Sequence, residues 1–266
     1  MVKINFFKML APALLLTLLL PAFSIAGEEE ARKLLIESEG RHRSATLEYG
    51  GELTVYTKEG KTRAKGWKSF REGYAGDAKV LVRFTSPPEV KGVSFLSLSR
   101  VGKNADQWLY LPSMKRERRI ASQDRDASFV GTDFSYEDME EFDHRRYEVD
   151  LRGETVHDGV PCYLIEAIPA GKDQKSVYAR RMLYLRKDIL YLARVDLYKE
   201  GDKEPSKLFL ISDIAEVGPH YMGKKLEMSD LKKGSRTIVI LKDIVFDKPQ
   251  PEDRFTLKNL NREGGD

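Results

Sequence analysis

The chain has a single cysteine among its 266 residues, so no disulfide can form within it. A domain without disulfides depends on its hydrophobic core for stability. Cys162 lies in the strand-like run VPCYLI at 160–165, where a buried and unreactive thiol is expected. The core must therefore be built from aliphatic and aromatic residues.

The motifs of common catalytic and metal sites are also missing. The sequence has no Gly-x-Ser-x-Gly nucleophile elbow, and Asp124 and Asp126 lack the glycine and glutamate of a calcium loop. The histidines lack the short spacings of a zinc site, and only an assembly of distant histidines would change that expectation. They are His42, His144, His157 and His220. We therefore expect no enzyme activity, no catalytic residue, no cofactor and no bound metal.

Long hydrophobic runs are confined to the first 20 residues. Lys3 and Lys8 supply a positive region before the apolar stretch at 9–20, and SIA at 24–26 has the small-x-small pattern of a signal-peptidase site. An uncleaved membrane anchor is the alternative, but about 12 apolar residues fall short of the roughly 20 that span a bilayer. The sequence predicts a signal peptide at 1–26, cleaved after Ala26, and an exported, soluble domain at 27–266.

Charge of one sign is not in large excess. The 45 basic and 42 acidic residues give a net charge of +3, and removal of the signal peptide with Lys3 and Lys8 lowers it to +1. Nucleic-acid binding is driven largely by positive charge, so a nearly neutral, exported domain does not suit it. We expect no nucleic-acid partner.

Most of the sequence alternates polar and apolar residues with the period of a β-strand. A helical pattern at 28–40 precedes the first alternating segment at 45–57, and ten more segments follow between turn residues. Gly50 and Gly51 interrupt the first segment and predict a bulge or bend. The pattern predicts a mainly β protein: a large curved antiparallel sheet forming a half-open barrel, with an N-terminal helix and a short central lid helix. Two small β domains with a break at 153–159 are the alternative.

The stretch at 108–142 combines aromatic residues with a dense group of basic residues. It runs from the strand WLYLP through a basic hairpin at 115–119 to a helix predicted at 135–142, with Ser135 as its cap. Two helices are too few to cover a sheet of about ten strands, so an uncovered concave face is a candidate binding cavity. The residues predicted to form this ligand cavity and its lid are Trp108, Tyr110, Phe129, Phe134, Tyr136, Met139 and Phe142.

The basic residues of the hairpin are candidates for contact with a lipid head group or an acidic partner surface. Arginine binds phosphate and carboxylate groups bidentately, so it suits either. These residues are Lys115, Arg116, Arg118 and Arg119. Two plainer interpretations stay open: the hairpin is a solvated surface with ordinary ion pairs, and the helix is an ordinary capped helix of the core.

Several motifs resemble the LolA-like outer-membrane lipoprotein-sorting proteins of bacteria. The motifs are LYLP at 109–112, KR at 115–116, RI at 119–120 and SFVGTDFSYED at 128–138, then YMGKKLEM at 221–228, RTIVI at 236–240 and FTLKNL at 255–260. The resemblance covers nearly the whole chain after the signal peptide, and the central motif is its most specific part.

The resemblance implies a half-open β-barrel whose concave apolar face is covered by helices and receives the acyl chains of a lipoprotein or lipid. It also implies a periplasmic protein, often found beside an RND/MMPL-type inner-membrane transporter, that makes transient membrane contact. We therefore expect residues 27–266 to form a single LolA-like lipid- or lipoprotein-binding domain that passes its cargo between envelope components. The alternative function is a non-carrier interaction module or sensor that docks on a transporter.

Overall fold

The computed structural model describes residues 25–171 and 176–261. Most of the predicted signal peptide, residues 1–24, lies outside the described residues. The first element is helix α1, Ile25–His42, which contains the helix predicted at 28–40. No helix in the described part of the chain is long and apolar enough to cross a membrane.

In the described ranges, thirteen β-strands form one antiparallel sheet. They are β1 (Thr46–Tyr56), β2 (Thr62–Glu72), β3 (Lys79–Ser86), β4 (Ser94–Arg100), β5 (Lys103–Leu111), β6 (Arg116–Arg119), β7 (Tyr147–His157), β8 (Val160–Pro169), β9 (Arg180–Arg186), β10 (Leu192–Tyr198), β11 (Lys207–Val217), β12 (His220–Asp230) and β13 (Ser235–Phe246). A short helix, α2 (Leu257–Leu260), follows the last strand. The sheet is curved and does not close, which confirms the predicted mainly β architecture.

The strand order places the first and last strands side by side in the middle of the sheet. From edge to edge the order is β6-β5-β4-β3-β2-β1-β13-β12-β11-β10-β9-β8-β7. β1 and β13 pair over nine residue pairs, from Leu47 opposite Phe246 to Tyr56 opposite Arg236. The two edges, β6 and β7, are consecutive in sequence. Residues 120–146 between them must therefore cross from one edge of the sheet to the other.

The prediction from the sequence omits strand β2. In this strand Lys65 and Arg71 are buried on the same face as Trp67, because residues two apart in a strand point to one side. Charged residues at core-facing positions break the apolar alternation that predicts a strand. The basic hairpin is present as predicted, since β6 pairs with β5.

The predicted central helix is shorter than the range 135–142. A single 3-10 turn, Glu137–Met139, occupies this place, and Glu140 already has extended backbone angles. The predicted irregularity in the first strand is also present, because the register of β1 on β13 shifts between Glu48 and Gly50.

The concave face of the sheet carries two clusters of buried apolar side chains. Over one half, Leu34 and Leu35 of α1 pack in a cluster with Ile165. Over the other half, Phe129 packs in a cluster with Phe95. Helix α1 and residues 120–146 thus cover the concave face together.

A third cluster lies on the opposite face of the sheet. Phe70, Leu81 and Leu96 are cross-strand neighbours there, and the segment after β13 covers them with Phe255 and Leu260. Both faces of this half of the sheet are therefore apolar, which explains why β3 and β4 have many consecutive buried residues.

Candidate functional site

Residues 120–146, called the strap below, cross the concave face and are attached to strands in both halves of the sheet. Side chains of several strands hold the strap, among them Lys65 of β2, Thr237 of β13, Lys207 of β11 and Arg181 of β9. The strap thus occupies the place at which the sequence predicts a lid.

The strap consists of short turns joined by extended chain. Its four 3-10 turns are Ser122–Asp124, Phe129–Gly131, Glu137–Met139 and His144–Arg146. The N-cap of the third turn is Tyr136 and not Ser135, but the predicted hydrogen bond is present: Ser135 Oγ accepts from the Asp138 amide over 3.3 Å, and Asp138 Oδ2 accepts from the Ser135 amide over 2.7 Å. Short turns contain few backbone hydrogen bonds, so the strap depends on the sheet for its shape.

One turn of the strap is held in a strained conformation. Val130 has a φ of 48°, a left-handed value that β-branched residues rarely adopt. The carbonyl of Val130 accepts a hydrogen bond of 2.6 Å from Lys65 Nζ. Burial, together with the nearby Arg63, lowers the pKa of Lys65. Contact with the sheet therefore maintains a turn that the isolated strap would not favour.

The predicted lid residues of the strap pack against the concave face. The ring of Phe129 lies 5.1 Å from that of Phe95 and 5.8 Å from that of Tyr136. Phe134 packs against both concave clusters, and Met139 packs against the cluster that contains Phe129. The strap thus fills the space between the two halves of the core with its own aromatic side chains.

Phe142 lies near the end of the strap, on the half of the core that α1 covers. Its ring is 4.9 Å from that of Tyr147 at the start of β7. The guanidinium carbon of Arg181 lies 6.0 Å from the Phe142 ring. Phe142 therefore joins the apolar cluster under α1 to the charged residues that bind the strap.

Trp108 and Tyr110 lie on the opposite face of the sheet from the strap. Both pack in the third cluster, with Phe255 and Leu260. Leu109 between them faces the concave side. The structure therefore separates these two predicted cavity residues from the five in the strap. The alternation of a strand fixes this outcome, but the sequence does not show which of two apolar faces the strap covers.

Glu137 is the buried centre of the polar contacts between strap and sheet. Its carboxylate accepts from Arg181 over 2.7 Å and from the amide of Val177 over 2.7 Å, and it lies 3.3 Å from Arg125. The hydroxyl of Ser176 donates to the same carboxylate. Burial raises the pKa of Glu137, but Arg181 and Arg125 outweigh it, so the pKa lies below its ordinary value.

An arginine and a tyrosine beside Glu137 and Asp138 have strongly shifted pKa values. Burial lowers the pKa of Arg181, but Tyr147, Glu137 and Asp138 outweigh it, so the pKa is higher than usual. Burial, with Asp138 next, raises the pKa of Tyr178 well above its usual value, and the Tyr178 hydroxyl donates to Asp138 over 3.0 Å. Arg181 is therefore charged and Tyr178 neutral at physiological pH.

Asp133 forms a second buried contact in the middle of the strap. Its carboxylate accepts from Thr237 over 2.7 Å, and its amide donates to the same hydroxyl over 2.9 Å. Lys207 Nζ donates to the Asp133 carbonyl over 2.7 Å and lies 3.5 Å from Asp138. The polar contacts of Asp133, Glu137 and Asp138 with the sheet are called the polar latch below.

The sheet residues of the polar latch are absent from the residues predicted as a site. Arg181, Lys207 and Thr237 come from three strands far along the sequence from the strap. One signal exists: Arg181 occupies the same face as Leu183 and Leu185, where a core-facing strand should be apolar. A charged residue at a core-facing position indicates a buried partner but does not identify it.

The four predicted head-group residues do not act as one group. Arg118 pairs with Asp124 at 2.5 Å, and Arg119 pairs with the buried Asp106. Within the described residues, Lys115 and Arg116 are exposed and form no ion pair. The structure thus leaves two of the four free to contact a head group or an acidic partner.

One cavity lies beside the sheet and is lined by both polar and apolar residues. It has a volume of about 750 Å³ and is lined by residues 102–107, 119–123 and Arg125. It lies at the edge formed by β5 and β6. The concave face itself is occupied by side chains of α1 and the strap, so an acyl chain would have to displace one of these covers.

Solved structures share this architecture. An outer membrane lipoprotein-sorting protein domain from Vibrio parahaemolyticus has a TM-score of 0.83 and 22% identity, covering 88% of this chain and 100% of that one. A DUF1329 family protein from Desulfovibrio piger has a TM-score of 0.83 and 24% identity, covering 88% and 99%. A LolA superfamily protein from Nitrosomonas europaea has a TM-score of 0.68 and 15% identity, covering 86% and 98%.

These likenesses define the class of the protein, which has the fold of the LolA-like proteins. A family model described as an uncharacterized protein matches residues 76–262, and the chain belongs to that family. No protein among the curated sequences matches the chain.

Proposed function

We propose that residues 27–266 act as a single periplasmic domain that binds the acyl chain of a lipid or lipoprotein between the concave face and the strap. The domain then passes this cargo between components of the envelope. The observation that carries the proposal is the cover of the concave face. An apolar surface spanning both halves of the sheet is closed in part by a strap of short turns, one of them strained.

Exchange of the strap for an acyl chain conserves most of the buried apolar contact. Phe129, Phe134 and Tyr136 leave the concave face, and methylene groups take their places. An acyl chain gains about 0.8 kcal/mol per CH₂ on leaving water, but this gain largely cancels when the chain comes from a membrane. Net transfer then depends on small differences in free energy between the open and closed protein, and the contacts of the polar latch are part of that difference.

The polar latch suits reversible opening. When the strap lifts, its three acidic residues move into water, where their charges are solvated. Arg181 and Lys207 remain on the sheet and become available to an anionic head group or to water. The likeness to a lipoprotein-sorting protein domain supports the proposal through the shared fold.

A reversible tether tests whether the strap must move. Asp133 Oδ2 and Thr237 Oγ1 are 2.7 Å apart. Replacement of both residues by cysteine would allow a disulfide that links the strap to β13. Cys162 is buried and does not compete for this bond. We expect the oxidised D133C/T237C variant to bind a dansyl-labelled fatty acid about tenfold more weakly than its reduced form. The single-cysteine variants serve as controls and should not respond to reductant.

Equal binding by the oxidised and reduced forms would show that the acyl chain does not enter beneath the strap. Absence of binding in the wild-type protein, under conditions in which it remains folded, would contradict the proposed function as a whole. Native mass spectrometry of gently purified protein adds an independent measurement, because a carrier should retain lipid.

A non-carrier interaction module or sensor that docks on an inner-membrane transporter is the second candidate function. The filled concave face favours it, since side chains of α1 and the strap already occupy the position of a ligand. Exposed Lys115 and Arg116 would then contact an acidic partner surface. This function predicts protein that carries no lipid and takes up no fatty acid in either redox state of the tethered variant.

A further inference from the structure

Four turns of the chain lie together at one end of the sheet. Because every strand pairing is antiparallel, the turns after β1, β3, β5 and β12 all fall at the same end, next to the turn after β10, whose Asp202 pairs with Lys232 at 2.6 Å. The turn after β12 lies close to the turn after β1, because a Cβ added to Gly234 would be 3.5 Å from the side chain of Lys58. The turn after β3 lies close to the turn after β5, because a Cβ added to Gly92 would be 3.1 Å from the ring of Pro112. The turns and the strand residues beside them, 57–63, 87–93, 112–118 and 231–236, are called the basic end below.

The basic end concentrates positive charge that the composition of the whole chain conceals. Its four segments contain ten basic and three acidic residues, a net charge of +7, whereas the complete chain has +3. The rest of the chain is therefore negative. Among the described residues, seven exposed cations of this end have no ion-pair partner: Lys58, Lys61, Arg63, Lys91, Lys115, Arg116 and Arg236. Their charge is available to an external anion.

Two large apolar side chains project at the same end. Met114 in the turn after β5 is 51% exposed, and Leu231 in the turn after β12 is 49% exposed. Met114 is followed by Lys115 and Leu231 by Lys232, and an exposed apolar side chain next to a cation suits entry into the interface of an anionic bilayer. A purely electrostatic partner would make no use of these two residues.

We propose that the basic end docks the protein on the surface of an anionic phospholipid membrane, with Met114 and Leu231 entering the interface. The four turns are neighbours along one end of the sheet, so their cations and apolar tips can meet one anionic surface together. Docking of this kind does not require an acyl chain in the concave face, so it is independent of the proposed carrier function. It would orient the molecule with the same end of its sheet toward the bilayer at each encounter.

Vesicle co-sedimentation tests the proposal. The wild-type protein should bind vesicles of equal parts phosphatidylcholine and phosphatidylglycerol, and should not bind phosphatidylcholine alone. Binding should weaken with added salt, because the screening length falls from about 10 Å at 0.1 M to 3 Å at 1 M. The K58E/K61E variant should bind at least about tenfold more weakly.

A matched variant separates location from total charge. Lys103 and Lys242 are exposed and lie outside the basic end, and K103E/K242E changes the net charge by the same amount as K58E/K61E. This control should bind the mixed vesicles nearly as well as the wild type. Equal loss in both variants, or no binding of the wild type to the mixed vesicles, would overturn the proposal.

The apolar tips distinguish a bilayer from a soluble polyanion. The M114S/L231S variant keeps every charge, so it should retain binding to heparin but lose several-fold in vesicle binding. If this variant binds vesicles as well as the wild type does, the basic end is a site for polyanions in general and the membrane assignment is wrong. Thermal unfolding of each variant checks that the fold is intact.

Discussion

Glu137 binds the strap to the sheet through Arg181 and also pairs with Arg125 inside the strap. We expect Glu137→Gln to lower the free energy of unfolding by about 3 kcal/mol at neutral pH, because it leaves the buried Arg181 without a charged partner. Urea unfolding measures the change. The matched control is Glu148→Gln in β7, an exposed position, which should alter stability by less than about 0.5 kcal/mol.

The same variant should change how stability depends on pH. The pKa of Glu137 is lowered in the folded protein from an ordinary value of 4.5, so its ion pairs contribute fully above that pH. The contribution is lost as pH falls through the lower, folded-state pKa. The decline of wild-type stability below about pH 4.5 should therefore be shallower in Glu137→Gln. Parallel pH profiles for the two proteins would contradict the assignment of Glu137 to the latch.

At the level of single residues, the sequence predicts the apolar side of the strap better than its polar side. Phe129, Phe134 and Tyr136 face the core because aromatic residues in a capped turn bury where they can. Glu137 is a helix-start residue by sequence alone, and nothing near it in the chain predicts Arg181. Ion pairs between residues 44 positions apart arise from the topology, which local patterns do not contain.

Among the elements, the pairing of β1 with β13 has the most restrictive geometry. A Cβ at Gly51 would lie 2.1 Å from the carbonyl oxygen of Ile240, whereas one at Gly50 would meet its nearest atom at 3.4 Å. The first distance requires movement of the β13 backbone, so Gly51→Ala should cost about 3 kcal/mol of stability. Gly50→Ala, its neighbour in the same irregularity of the strand, is the control.

Thermal and urea unfolding of the two glycine variants give the comparison. Similar stability of G50A and G51A would mean that the two strands can separate slightly without cost. Such a result would weaken the view that this pairing holds the halves of the molecule together.

The sequence predicts the elements in which polar and apolar residues alternate regularly. It does not predict those in which charged residues occupy core-facing positions. The helix at the N-terminus and eleven strands follow the apolar period of their segments. β2 was missed because Lys65 and Arg71 face inward. The central helix was overextended because Glu140 binds Arg125 and Arg146, which draws the chain out of helical geometry after one turn.

For the molecule as a whole, the strand order predicts that the strap is dispensable for holding the chain together. A protease site inserted after the exposed Ser122 would divide the chain into a piece with β1–β6 and a piece with β7–β13. The nine residue pairs between β1 and β13 remain, so the cleaved protein should elute as one species on size exclusion. The uncleaved insertion variant is the control.

Separation of the two pieces without denaturant would show that the strap, and not the central strand pairing, joins the halves. The pairing of β1 with β13 cannot be predicted from the sequence, for a physical reason. Turn residues predict which consecutive strands pair, but the meeting of the first and last strands depends on how the finished halves fit.

The strap is also long enough to let the two edges of the sheet, β6 and β7, lie much farther apart than they do in the structure. Thirteen strands laid flat would measure about 58 Å across. The strap, fully extended, could reach about 90 Å. Its covalent length therefore does not limit how far the two edges can move apart. The distance between the two edges is therefore set by an equilibrium between closed and open positions of the strap. Acid, a ligand or a membrane can shift this equilibrium by changing the side-chain contacts of the strap.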